Sequence, residues 1–182
     1  MKEIILKNKN GKTEKGFFRD LKIDDIDNIL QLQEEILNGL SDKELYADSG
    51  KESFIKCIKE TGRIIGCFNS NEELIAMGVY EAFGFEDENY GYDLNIKGDE
   101  LLKVCQIEST VVKLQYRGNG LQNIICDMLE EQGRKENMKI VGATVSPKNP
   151  YSLNTFLKRG FTIEDEKIKY GGYNRYILKK VL

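Results

Sequence analysis

Between Val111 and Gln122 the chain reads Val-Val-Lys-Leu-Gln-Tyr-Arg-Gly-Asn-Gly-Leu-Gln. An apolar run ends, two glycines stand two residues apart, and an amphipathic pattern begins at once. Glycine lets the backbone approach a ligand closely, and the first N–H groups of a helix have no intrahelical partner. Together they can hold a diphosphate without needing any particular side chain. Arg117 adds a permanent positive charge. The dinucleotide fingerprint would need a third glycine where Asn123 stands, and the nucleotide P-loop would need Gly-Lys-Ser/Thr; neither is present. Alone, Gly118 and Gly120 read first as a plain strand-to-helix turn.

A second candidate is Glu108, inside Val104-Cys105-Gln106-Ile107-Glu108-Ser109-Thr110-Val111-Val112. Strand alternation puts Glu108 on one face with Thr110 and Val112. Its apolar company should raise the carboxyl pKa towards that of a general base. A carboxylate facing solvent or paired with a lysine is the rival reading. The chain has no histidine, which excludes a Ser-His-Asp triad, a Cys-His pair and His-ligated zinc. Acid–base work must therefore come from carboxylates, Tyr, Lys, Cys or water, and no metal site is expected.

These residues need elements to position them. A strand is expected over 3–7. A helix from Asp24 to Leu37 has acidic residues at its positive end, and a second covers Phe54, Ile55 and Ile58 behind a cap at Ser49 or Ser53. Strands over 63–68 and 74–83 flank the turn Asn69-Ser70-Asn71. The polar tract from Glu86 to Glu100 reads as irregular; its run Glu86-Asp87-Glu88 is either a solvated loop or the rim of a cationic acceptor's cleft. A long strand is expected from Leu101 to Leu114. A helix follows from Gly118 to Asn137, with Leu121, Ile124, Ile125, Met128 and Leu129 on one face. A strand over 140–145, a short helix over 150–159 and two strands over 161–170 and 173–181 complete the chain. The expected class is α/β, with one mixed, mostly antiparallel central sheet flanked by helices.

With 182 residues, a net charge of −3 and only two prolines, the chain reads as one domain over 1–182. The mild acidity argues against nucleic acid or an anionic membrane as partner, and no apolar run reaches the ~20 residues of a membrane span. Cys57, Cys67, Cys105 and Cys126 show no Cys-x-x-Cys spacing. They lie in apolar stretches behind no signal-peptide pattern, so reduced thiols in a cytoplasmic protein are expected. Oligomeric state has no signature here.

Gln115-Tyr116-Arg117-Gly118-Asn119-Gly120 resembles the acetyl-CoA signature of the GNAT superfamily of N-acetyltransferases, Gln/Arg-x-x-Gly-x-Gly/Ala. Val112 stands where that family has its strand-end valine. Asn149-Pro150-Tyr151-Ser152 and Phe156-Leu157-Lys158-Arg159-Gly160-Phe161 resemble its second motif. The resemblance implies acetyl-CoA as cosubstrate, with its pyrophosphate on the backbone from Arg117 through Gly118, Asn119, Gly120 and Leu121 to Gln122. The pantetheine arm would lie between splayed strands near Val112, within reach of Asn149 and Ser152. Leu114 replaces a frequent proline. Gln122 replaces a common third glycine, which would set the backbone slightly further from the phosphate.

The implied reaction is acetyl transfer to a primary amine, on a small molecule or a peptide, by direct attack in a ternary complex. Deprotonating an alkyl ammonium of pKa ~10.4 at pH 7 costs roughly 4.6 kcal/mol, whereas a thiol of pKa ~8.5 needs only about 2 kcal/mol to leave as thiolate. The base therefore matters more than the acid. Family members often carry a glutamate at the offset of Glu108, and the Val112 N–H would stabilise the oxyanion. Phe156 occupies the position of the family's usual acid, a tyrosine. Either Tyr151 or Tyr170 substitutes, or the thiolate leaves unassisted, which the magnitudes favour. The missing hydroxyl also leaves room for a second reading, a catalytically weak acyl-CoA-binding sensor.

Overall fold

The computed structural model describes residues 2–7, 9 and 11–182. Its strands are β1 (Lys2–Lys7), β2 (Thr13–Asp20), β3 (Gly62–Phe68), β4 (Leu74–Glu81), β5 (Val104–Val112), β6 (Ile140–Val145), β7 (Thr162–Lys169) and β8 (Tyr173–Val181). The helices are α1 (Ile26–Asn38), α2 (Lys51–Lys56), α3 (Leu121–Lys135) and α4 (Pro150–Lys158). All eight strands form one sheet in the order β1-β2-β3-β4-β5-β6-β8-β7. Only β5 and β6 run parallel, as expected when a helix, here α3, carries the chain between them. The mixed, mostly antiparallel sheet flanked by helices is the architecture expected from the sequence.

Every residue of β4 is buried, because helices cover both faces of the sheet. On one side Leu121, Ile125 and Leu129 of α3 and Phe156 of α4 pack against Ile75, Ile107, Val141 and Leu178. On the other, Ile29 and Leu32 of α1 and Phe54 of α2 pack against Ile64, Met77, Val79 and Val111. Gly78 sets how closely α3 approaches: a Cβ there would lie 2.2 Å from Ile125 Cγ2.

Several expected boundaries shift. The stretch 98–103 is a 3-10 turn, so β5 begins at Val104 and ends at Val112. Helix α3 begins at Leu121, after both glycines, because Gly120 takes a left-handed conformation with φ +69° that cannot lie inside the helix. Helix α2 is capped by Gly50, not by a serine, and ends at Lys56 in a wider turn over 57–61. Strand β2 has no counterpart in the sequence reading. All four cysteines are buried and free. Among the described residues, no helix is long and apolar enough to cross a membrane.

Candidate active site

The pairing of β5 with β6 runs from Val104↔Ile140 to Ile107↔Ala143 and stops there. β5 continues to Val112 and β6 to Val145 without pairing to each other, so a wedge opens between them. On its other edge β5 stays paired to β4. The Lys113 N–H donates to Ile75 O at 2.9 Å, and Ala76 opposes Val112. Antiparallel pairs alternate between hydrogen-bonded and non-hydrogen-bonded, so the N–H groups of Val112 and Thr110 point away from β4 and into the wedge. The wedge thus presents an unused strand edge, as the sequence reading expected near Val112.

The glycine turn stands beside the wedge. Gly118 and Gly120 both have positive φ, +89° and +69°, and a Cβ on either would meet nothing within 4 Å. The first helical bond runs from the Ile124 N–H to Gly120 O at 3.1 Å. Among the described residues, the main-chain N–H groups from Gly118 to Asn123 have no partner, and open space lies in front of the two glycines. Arg117 and Gln115 are exposed at the same turn. Asn119 anchors the loop: its Nδ2 donates to Lys7 O (2.8 Å) and Tyr116 O (2.8 Å), and its Oδ1 accepts from the Lys7 N–H (2.7 Å). Its side chain is therefore occupied, and only its backbone is available to a ligand. The donor set fits a diphosphate, being several outward N–H groups, one guanidinium and no carboxylate on the loop.

Glu108 follows the last β5 residue paired to β6. The register against β4 passes from Gly78↔Thr110 to Tyr80↔Ile107, so Glu108 and Ser109 together face Val79 in a β-bulge. This corrects the shared face expected for Glu108, Thr110 and Val112. Thr110 looks towards α3, where its Oγ1 accepts from Gln122 Nε2 at 2.9 Å, and Val112 packs with the same layer. Glu108 looks the other way. The bulged extra residue breaks the period of two and turns the carboxylate to the face covered by α1 and α2.

There Glu108 Oε2 accepts from the Tyr90 hydroxyl at 2.8 Å, and Oε1 accepts from Gln106 Nε2. Tyr90 Oη also bonds Tyr170 Oη, which in turn bonds Thr144 Oγ1 at 2.8 Å on β6. A polar chain therefore runs from the bulge of β5 across the wedge to β6 and the β7–β8 turn. Burial raises the Glu108 pKa above the usual carboxylate value, while the Tyr90 and Gln106 hydrogen bonds pull it down. Burial likewise keeps Tyr90 and Tyr170 protonated well beyond neutral pH. Tyr46, whose hydroxyl reaches Gln33 (3.0 Å) and Ser109 (3.3 Å), closes the same face.

The acetyltransferase (GNAT) family model matches residues 23–161, three quarters of the chain. The chain belongs to the GNAT family. No curated protein matches it in sequence, whereas solved structures match in number. Ard1 from Thermoplasma volcanium superposes with a TM-score of 0.66 at 15% identity, over 92% of this chain and 97% of that one. The ribosomal-protein-S18-alanine N-acetyltransferase from Escherichia coli gives 0.66 at 12% identity, over 91% and 93%. YncA from Salmonella typhimurium, solved with its cofactor acetyl-CoA, gives 0.67 at 12% identity, over 92% and 94%. At these identities the likeness is one of fold.

In this GNAT chain Asn149 caps α4: its Oδ1 accepts from the Ser152 N–H at 3.1 Å, which leaves its amide nitrogen for a ligand. Gln122 Nε2 also lies 3.5 Å from Ser152 Oγ, so its side chain ties α3 to α4. Phe156 packs edge-on against Phe161, with centroids 5.0 Å apart, inside the core. Tyr151 is 87% exposed on α4, whereas Tyr170, the other tyrosine weighed for the acid, reaches the Glu108 network. The acidic run is tethered: Glu86 pairs with Lys56 of α2, and Glu88 O accepts from Gln106 Nε2 at 3.1 Å. Sequence reasoning missed Tyr90, Gln106, Tyr46 and Thr144, which occur in no motif and meet only through the fold.

Proposed function

We propose that this GNAT chain is an N-acetyltransferase that moves the acetyl group of acetyl-CoA to a primary amine by direct attack in a ternary complex. The observation that carries the reading is the adjacency of three features on one strand: the Glu108 bulge, the unused Val112 edge and the glycine turn that begins α3.

The outward N–H groups from Gly118 to Gln122 hold the pyrophosphate, with Arg117 and Gln115 beside it. The open edge of β5 receives the pantetheine amides as a peptide strand would be received, with Asn149 and Ser152 on the far wall. Glu108 takes the proton of the attacking ammonium. Its raised pKa suits it to a base working near neutral pH. The Val112 N–H donates to the oxygen on which charge develops. The thiolate needs little help to leave. Tyr170, which is partly exposed and whose hydroxyl reaches the Glu108 network through Tyr90, is the nearer candidate acid; Tyr151 would have to swing inward to serve.

The cysteines offer no rival nucleophile. Burial pushes Cys67, Cys105 and Cys126 up to about 12, so none forms a thiolate readily. Incubation with acetyl-CoA alone should give no stoichiometric acetyl adduct by mass spectrometry. Adding an amine panel should release free CoA. A stoichiometric cysteine adduct would overturn direct attack. The placement of Phe156 in the core favours one alternative, an acyl-CoA-binding sensor, which would bind CoA in calorimetry yet release no thiol with any amine.

A further inference from the structure

Arg175, the third residue of β8, is 3% exposed. Its Nη1 donates to Asn174 O at 2.8 Å, and its guanidinium lies 5.1 Å from the Tyr173 ring centroid and 5.7 Å from that of Tyr170. Its Nη2 has no hydrogen-bond partner. Among the described residues, no other buried side-chain nitrogen or oxygen is left so. Lys113, the other buried cation among the described residues, holds Glu35 and Glu73, and the half-buried Arg159 holds Asp127 and Glu130. No carboxylate among the described residues lies within salt-bridge distance of Arg175.

A guanidinium stays charged at any working pH and presents a planar fork of donors. Burying it without an anion is costly. Arg175 also occupies a particular place. The Tyr170 ring beneath it is the ring whose hydroxyl bonds Tyr90, and Tyr90 bonds Glu108. Two hydrogen bonds and one phenol ring therefore separate the unpaired fork from the carboxylate assigned to the acceptor amine.

We propose that Arg175 anchors a carboxylate of the acceptor, and that the acceptor is an amino-acid-type zwitterion whose ammonium meets Glu108 while its carboxylate meets Arg175. This rests on the transferase reading above. The pairing of fork with carboxylate is bidentate and geometrically selective. The Nη2 is covered, and Tyr173 is the ring that yields. Its hydroxyl makes no hydrogen bond among the described residues, whereas Tyr170 is held by Tyr90 and Thr144. The turn between them is Gly171-Gly172, with φ +76° and +142° and open space around both residues.

The test uses the full chain with acetyl-CoA and amino acids of graded amine-to-carboxylate span, from free L-α-amino acids to ω-amino acids, each beside its own carboxamide, following release of the CoA thiol. The wild type should favour the acids over their amides by tenfold or more in kcat/KM. In R175M that ratio should fall to about one, and R175K should keep part of it. The thermal midpoint gives a second readout that needs no acceptor. Removing a buried unpaired charge should leave R175M as stable as the wild type or a few degrees more stable. Amides used as well as acids would overturn the anchor and leave the transferase standing. So would R175M lowering both alike, or a loss of five degrees or more. Failure to bind CoA, or no thiol release with any acceptor, would overturn the transferase reading and the anchor with it.

Discussion

The Tyr90 hydroxyl donates a 2.8 Å hydrogen bond to Glu108 Oε2 across 18 residues of sequence. Tyr90 belongs to the polar stretch between β4 and β5, and the same residue takes its own N–H to Gln106 Oε1 at 2.9 Å. That stretch is thereby fixed to β5 on either side of Ile107, where the pairing to β6 ends. The loop is the support of the carboxylate as well as a connection.

Glu108→Gln removes the proposed base and keeps the shape. Acetyl-CoA binding by calorimetry should be unchanged. kcat/KM at pH 7 should fall on the order of a hundredfold, within the usual range for general-base catalysis. The deficit should shrink as the pH approaches the ~10.4 of an alkyl amine, because the acceptor is then already neutral. Equal rates for both proteins across the pH range would remove Glu108 from the reaction.

Tyr90→Phe leaves the buried ring and deletes the donor. The hydrogen bond stabilises the ionised form of Glu108, so its loss moves the carboxyl pKa further up. A bond to a charged group contributes ~1.5 kcal/mol, or about one pH unit. The acid limb of the kcat/KM profile should shift upward by roughly that amount, with the plateau at high pH less affected. A limb that stays in place, or moves down, would show that Tyr90 does not tune the base.

Parts of this arrangement are legible in the residues alone. β6 matches its expected range of 140–145 residue for residue, because a short apolar run between turns has few other readings. The glycine turn is legible because positive φ restricts which residues are tolerated. β2 is not. Its segment Thr-Glu-Lys-Gly-Phe-Phe-Arg-Asp has a break at Gly16, and that glycine exists to admit Leu6, whose Cδ1 would lie 2.5 Å from an added Cβ. The bulge at Glu108–Ser109 is equally silent. A period of two continues through it in sequence, and only the register with β4 reveals the reversal. Arg175 carries no sign either, since an arginine on a terminal strand is ordinary until its partners are counted.

Glu81→Gln tests the electrostatics of the Glu108 face through stability. Burial, reinforced by the like charge of Glu108, pushes Glu81 up to about 7 from 4.5, partly offset by the 2.8 Å bond from Thr61 Oγ1. The folded state therefore holds this proton to higher pH than the unfolded chain. The group's contribution to stability is complete below about pH 4.5 and is lost as the pH rises through about 7. The gap corresponds to at most ~3 kcal/mol. E81Q should gain up to that amount in urea unfolding at pH 8.5 and close to nothing at pH 4. An equal gain at both values would mean that packing, not charge, decides the difference.

Gly120→Ala separates the two roles of the glycine turn. A side chain at φ +69° costs roughly 1–2 kcal/mol in backbone strain, so thermal stability should drop by that much whatever the turn binds. Nothing in the protein lies within 4 Å of the added methyl, so packing supplies no further penalty. Any additional effect must come from a molecule that occupies the open space. CoA affinity measured on the folded variant should weaken tenfold or more, because on the proposed reading the methyl would stand between the pyrophosphate and the N–H groups that hold it. Gly11 makes the control, with φ +77° and equally open surroundings: Gly11→Ala should show the strain without the loss of affinity. If both variants bind CoA as the wild type does, the turn is only a turn, and the diphosphate must be held elsewhere.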